Sequence, residues 1–150
     1  MTFDKDTSAG YVVNHMARLF AEALTQRIQP LGLTTGQFPL LLQLWAEEGL
    51  TQKQLVERLD VEQATIANTL NRMERDGLVL RKPHPVDGRS QCIHLTRKAR
   101  ALQGPATEAA QSVNDIALRS LSVPDRQAFF ETMTEVIKSL QEDLKPLDRS

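Results

Sequence analysis

The chain has 150 residues, 41% hydrophobic, 25% charged and 5% aromatic; this fits one compact domain, with or without an appendage, and excludes a disordered chain or an aromatic-rich β-sandwich. A single cysteine, Cys92, excludes an intramolecular disulfide framework and a multi-cysteine zinc site. The polar start MTFDKDTS has no apolar core of signal-peptide type, and no apolar run approaches the ~18 residues of a membrane helix, so a soluble, cytoplasmic protein with no membrane partner is expected.

The formal net charge of −1 averages over unlike thirds. Residues 1–50 hold three Lys/Arg against five Asp/Glu, residues 51–100 ten against six, and residues 101–150 five against eight. Between 81 and 100 there are six basic residues (Arg81, Lys82, Arg89, Arg97, Lys98, Arg100) and one acid, Asp87. A cationic middle between anionic ends suits a module that meets phosphates while its flanks do something else. A merely solvated charged face would carry the same signal, so motifs must decide.

The first third reads as helix. Val12, Val13, Met16, Leu19, Phe20, Ala23, Leu24 and Ile28 form one stripe at spacings of three and four, ended by Pro30 and Gly32. A second helix is predicted from Thr34 or Thr35, carrying Phe38, Leu41, Leu42 and Trp45, with Pro39 in its first turn and Gly49 closing it.

The middle third has a different grammar. Thr51-Gln52-Lys53-Gln54 is a capping box opening a short helix with Leu55 and Leu59 inward. Asp60-Val61-Glu62 turns into another helix, where Ile66, Leu70 and Met73 make one buried ridge and Gly77 suits the left-handed position after its end. The period then switches to two. Residues 78–82 and 91–95 are predicted strands around a turn-rich tip, Pro83 to Ser90, forming a two-stranded hairpin that must lean on the helices. Strand alternation places Cys92 on the polar face beside His94.

The last third is helical again. Thr96 caps a helix through Ala99 and Leu102, Gly104-Pro105 predicts a kink, and Val113, Ile116 and Leu118 resume the spacing. Ser122-Val123-Pro124-Asp125 starts a final helix carrying Phe129, Phe130, Met133, Val136, Ile137, Leu140 and Leu144. Arg97, Lys98 and Arg100 fall in first turns, where the helix dipole prefers acids; either bound phosphate offsets that conflict or, at ~0.3–1 kcal/mol for exposed positions, it is harmless.

Helix, tight turn, helix and basic hairpin together predict a winged helix-turn-helix: a mainly α chain with a small β-hairpin wing. With Ile66, Leu70 and Met73 inward, the opposite face presents Gln63, Thr65, Asn68, Thr69 and Arg72, whose lengths and donors suit base edges and phosphates in a major groove. In the tip, Asp87 and Arg89 stand two apart; the acid can restrain the guanidinium, and a restrained arginine on a narrow projection suits a minor groove. A surface ion pair of negligible worth is the plain alternative. Thr51 and Lys53 are expected to meet phosphate.

The ordered set of motifs resembles the MarR family of transcriptional regulators: Gly10-Tyr11 through Pro30-Leu31-Gly32-Leu33-Thr34, Leu50 to Leu55, Val61 to Ile66, Leu70 to Val79, and Asp87-Gly88-Arg89 followed by Ile93 to Thr96. The resemblance covers roughly residues 10–145. It implies a homodimer, with residues 1–33 and 101–150 as helical dimerisation region and 34–100 as the DNA-binding lobe, seated on a pseudo-palindromic double-stranded operator. The wide apolar stripes of 12–28 and 129–144 point independently to dimerisation. The resemblance also implies a small aromatic or phenolic effector between dimer helices and lobe, for which Tyr11, His15, Arg18, Phe38 and Trp45 are candidates by position. A repressor released by such a ligand is the expected function. The alternative, a winged helix serving as a protein-interaction module without DNA readout, predicts an apolar face on residues 62–75.

Some members of that family sense oxidants through a cysteine in the N-terminal helix, where this chain has none. For Cys92 a thiol sensor and an inert strand residue are both open, and the inert reading is favoured. His15, His84 and His94 lack metal-ligand spacing, so no metal and no cofactor are expected. No nucleophile–base set or phosphate-binding glycine loop suggests an enzyme.

Overall fold

The computed structural model describes residues 2–145. It is mainly helical with a small three-stranded antiparallel sheet. The elements are α1 (Ala9–Ile28), α2 (Phe38–Ala46), β1 (Leu50–Thr51), α3 (Gln52–Leu59), α4 (Gln63–Arg75), β2 (Val79–Pro83), β3 (Gln91–Leu95), α5 (Arg97–Ala101), α6 (Gln103–Ala117) and α7 (Val123–Asp143). The chain divides into two compact units, one ending at Val113 and the other beginning at Asn114, inside α6. No described helix is long and apolar enough to cross a membrane.

The core lies in the first unit. Leu41, Leu44, Leu50, Leu55, Ile66, Leu70, Met73, Leu78, Val79 and Ile93 are buried there. The ridge expected on α4 is its buried face. Of α1, by contrast, only Ile28 is buried; Tyr11, Val12, Val13 and Leu19 each keep about half their surface exposed. In the second unit α7 buries no residue, and Phe130, Val136, Ile137 and Leu140 are exposed.

The caps follow the sequence. Ser8, Thr51, Thr96 and Ser122 each accept the backbone N–H three residues on. At Thr51 the capping box is complete, since the Gln54 side chain answers the Thr51 N–H at 2.9 Å. Asp60 and Gly77 take the left-handed conformation that ends α3 and follows α4.

Several expectations are corrected. The α-helix of α2 starts at Phe38 rather than at Thr34 or Thr35, because Pro39 brings no N–H and the ladder builds only beyond it. Thr34 still caps, accepting from the Gln37 N–H across a turn. That helix ends at Ala46, and Gly49 with φ +84° serves the turn into β1 instead. The first wing strand starts one residue late, at Val79. The hairpin is not alone: β1 pairs with β3, giving the order β1-β3-β2, with Leu50 opposite Ile93 and Thr51 opposite Cys92. Cys92 stands on the middle strand and is buried, not exposed as expected. The helix break falls at Leu102, just before Gly104-Pro105.

Two of the three cations of α5 have internal partners. Lys98 Nζ donates to the Asp76 carbonyl at 3.0 Å, at the end of α4 where the dipole favours a cation. Arg100 pairs with Glu48 at 2.6 Å. Arg97 has no such partner among the described residues.

Candidate nucleic-acid interface

The inward ridge of α4 turns its other side out. Gln63, Thr65, Asn68 and Arg72 are exposed there, and Thr69 is half-buried with its hydroxyl donating to the Thr65 carbonyl at 2.8 Å. Asn68 and Arg72 stand one turn apart and so share a stripe. Arg72 makes no ion pair or side-chain hydrogen bond among the described residues, which leaves its five donors available.

Beside this helix the wing is built as a tightly bonded tip. His84 donates its backbone N–H to the Ser90 carbonyl at 2.9 Å, while its Nδ1 accepts the N–H groups of Val86 and Asp87 at 3.1 and 3.0 Å. Asp87 Oδ1 accepts the Arg89 N–H at 3.1 Å and lies 3.5 Å from Arg89 Nε. Arg89 and Asp87 meet through this turn rather than by strand alternation. The Arg89 side chain is 96% exposed, a projecting cation held at its root.

Between wing and α3 lies a cleft of about 370 Å3, lined by Thr51, Gln52, Lys53, Arg81, Arg89 and Gln91 among others. It gathers three cations from three separate elements. Thr51 spends its hydroxyl on the capping box, accepting from the Gln54 N–H at 3.2 Å, so its part toward a phosphate is to order the start of α3. Lys53 is exposed in the first turn of that helix. Arg81 donates from Nη2 to Asn71 Oδ1 at 2.8 Å, and its Nε sits 3.8 Å from Glu74. The guanidinium thereby spans α4 and β2.

Three contributors escaped the sequence reading: His84, Arg81 and Gln37. Gln37 is the one buried polar side chain among the described residues, and its Nε2 donates to Asp76 Oδ2 at 3.0 Å, tying the start of α2 to the end of α4. The pattern Thr34-Thr35-Gly36-Gln37 matches a capping box and carried that signal. For His84 and Arg81 no local pattern marks the role; it arises from pairing across the sheet.

The five residues considered for an effector fall into two sets. Tyr11, His15 and Arg18 are exposed on α1. Phe38 is buried and meets Trp45 edge-on with centroids 6.1 Å apart, and the Trp45 indole N–H donates to the Ala99 carbonyl at 3.0 Å. Among the described residues no group of three His, Cys, Asp or Glu is placed to hold a metal.

The family profile described as "MarR family" matches residues 33–91, from the turn before α2 to the start of β3. The chain is 29% identical over 131 residues to the HTH-type transcriptional regulator TtmR of Methylorubrum extorquens, covering 87% of this chain and 66% of that protein. It is 33% identical over 112 residues to an uncharacterized HTH-type transcriptional regulator of Bacillus cereus, covering 71% of each. Among solved structures, the transcriptional repressor CouR bound to a 23-mer DNA duplex superposes with a TM-score of 0.76 at 25% identity, over 92% of this chain and 99% of that one.

Proposed function

Because this chain belongs to the MarR family of transcriptional regulators, we propose that it is a sequence-specific, double-stranded-DNA-binding repressor, acting as a homodimer on a pseudo-palindromic operator and released by a small aromatic or phenolic ligand. The observation that carries the DNA reading is the polar, unpartnered outer face of α4 flanked by the cationic cleft and the projecting Arg89. In this reading Gln63, Thr65, Asn68, Thr69 and Arg72 enter the major groove, where Gln63 and Asn68 can bond an adenine bidentately and Arg72 a guanine. Arg89, steadied by Asp87, enters the adjacent minor groove, and Lys53 with the Thr51-capped start of α3 meets a backbone phosphate. The structure of CouR on a DNA duplex supports the partner class. An α4 face of Gln, Thr, Asn and Arg gives a protein-docking wing little apolar surface to use.

The homodimer rests on uncovered apolar surface. Tyr11, Val12, Val13 and Leu19 on α1, and Phe130, Val136, Ile137 and Leu140 on α7, are about half exposed in one chain. Exposed apolar stripes of that kind, one on each helix, mark association surfaces. Two recognition helices would then address half-sites about one turn, ~34 Å, apart.

For the effector, His15 and Arg18 share a face of α1 and supply donors to a carboxylate, with Tyr11 one turn before. Phe38 and Trp45 already pack on each other, so a ring reaching them must displace a core contact. His15 and Arg18 are accordingly the first to vary. A ligand that prefers a lobe spacing unsuited to DNA weakens DNA binding by the factor by which DNA weakens its own.

The deciding experiment is a mobility shift with the DNA flanking the protein's own gene, against unrelated duplex of equal length. Retarded own-flank DNA with weaker retention of the control is expected. Equal affinity for both would refute sequence-specific readout.

A further inference from the structure

We infer that Glu48 is a positioning residue for the wing, working through the root of β3 rather than by touching DNA. This rests on the reading of Arg89 as a DNA contact. β1 contributes only two residues to the sheet, and Gly49 donates its N–H to the Ile93 carbonyl at 2.9 Å just before it. One step further along that edge a backbone carbonyl should answer Leu95, but the chain turns away at Gly49 with φ +84°. The Glu48 side chain takes the vacant place: Oε1 accepts the Leu95 N–H at 2.8 Å. A buried strand end is thus satisfied by a carboxylate where a strand would ordinarily do it.

That carboxylate has a second partner. Arg100 forks onto it, Nη2 to Oε1 at 2.6 Å and Nε to Oε2 at 3.3 Å. His94 Nδ1 lies 3.6 Å from the same Oε1. Arg100 belongs to α5, whose Lys98 holds the Asp76 carbonyl at the end of α4. One anchor therefore joins the returning wing strand, through Glu48 and α5, to the recognition helix. The angle between Arg89 and the α4 face is set at this joint.

The test is a double-mutant cycle in the full chain, with duplex from the protein's own flanking DNA at fixed salt. Glu48→Ala is expected to weaken binding roughly fivefold in the wild-type background and less than about twofold in Arg89→Ala, because there is then no wing cation left to position. Glu48→Gln keeps an acceptor for Leu95 and is expected to weaken binding less than Glu48→Ala. Equal losses in both backgrounds would make Glu48 a general stabiliser and overturn the inference. Should Arg89→Ala bind as wild type, the wing contact itself fails, and amide exchange of the free protein decides for Glu48. Faster exchange at Leu95 and residues 86–91, with Ile66, Leu70 and Met73 still protected, supports the joint; uniform acceleration, or none, overturns it.

Discussion

Asp87 grips Arg89 twice, through the backbone N–H at 3.1 Å and beside Nε at 3.5 Å, while leaving the guanidinium almost wholly in solvent. The grip sets where the side chain starts without occupying its tip. Arg89→Ala is therefore expected to cost roughly 1–3 kcal/mol of DNA affinity while shifting thermal stability little, since an exposed pair contributes about 0–1 kcal/mol. Asp87→Ala should lose less affinity, through a freer arginine. Anisotropy titrations beside thermal melts check both. An Arg89→Ala variant that binds as wild type would remove the wing from the interface.

Salt dependence should be steep, though less so than the bare charge count of the middle third suggests. Arg58, Arg75, Arg81, Arg89 and Arg100 each face an acid, and Lys98 caps a helix. Lys53, Arg72, Lys82 and Arg97 make no such bond among the described residues. If Lys53, Lys82 and Arg97 meet phosphate while Arg72 meets bases, the log–log slope per protomer is about −3, at roughly 0.9 for each phosphate neutralised. Affinity titrations across salt concentrations measure it, and a flat line would contradict the charge map.

Acid should loosen the joint at Glu48. The Arg100 fork, aided by the Leu95 N–H, holds the Glu48 carboxyl below its usual range despite partial burial. A carboxyl lowered in the fold adds stability that is present above its unfolded value and lost as pH falls through the folded one. Melting temperature followed below pH 5 should thus fall more for wild type than for Glu48→Gln. Parallel acid profiles for the two proteins would show that the fork contributes nothing.

Removing residues 126–150 takes away most of α7 and its exposed apolar stripe. The shortened chain is expected to be monomeric or insoluble, as judged by sedimentation. A stable dimer after that cut would refute an interface built on the terminal helix.

The helices and the wing were legible because their signals are local. Capping hydroxyls at Thr51, Thr96 and Ser122, the ridge Ile66-Leu70-Met73 and the left-handed Gly77 each act within one turn of chain. What the sequence hid depends on pairing between distant residues. Cys92 looks like a surface residue by its alternation with Ile93 and Leu95, yet it is buried in the folded chain. Arg100 looks like a phosphate ligand until Glu48, 52 positions earlier, is seen to hold it. On the proposed DNA face, α4 was readable because burial of one side dictates the other; the cleft was not, because Lys53, Arg81 and Arg89 meet only after the sheet has formed.

The two-residue β1 also bears on the protein's solubility. A sheet in the order β1-β3-β2 leaves two open margins, and unpaired margins invite strands from other molecules. One margin runs straight into α3 at Gln52; the other carries Arg81 and Lys82 and stops at Pro83, which has no N–H to offer. A chain that must expose its wing to reach a duplex is thereby guarded against fibril-like stacking at the same place.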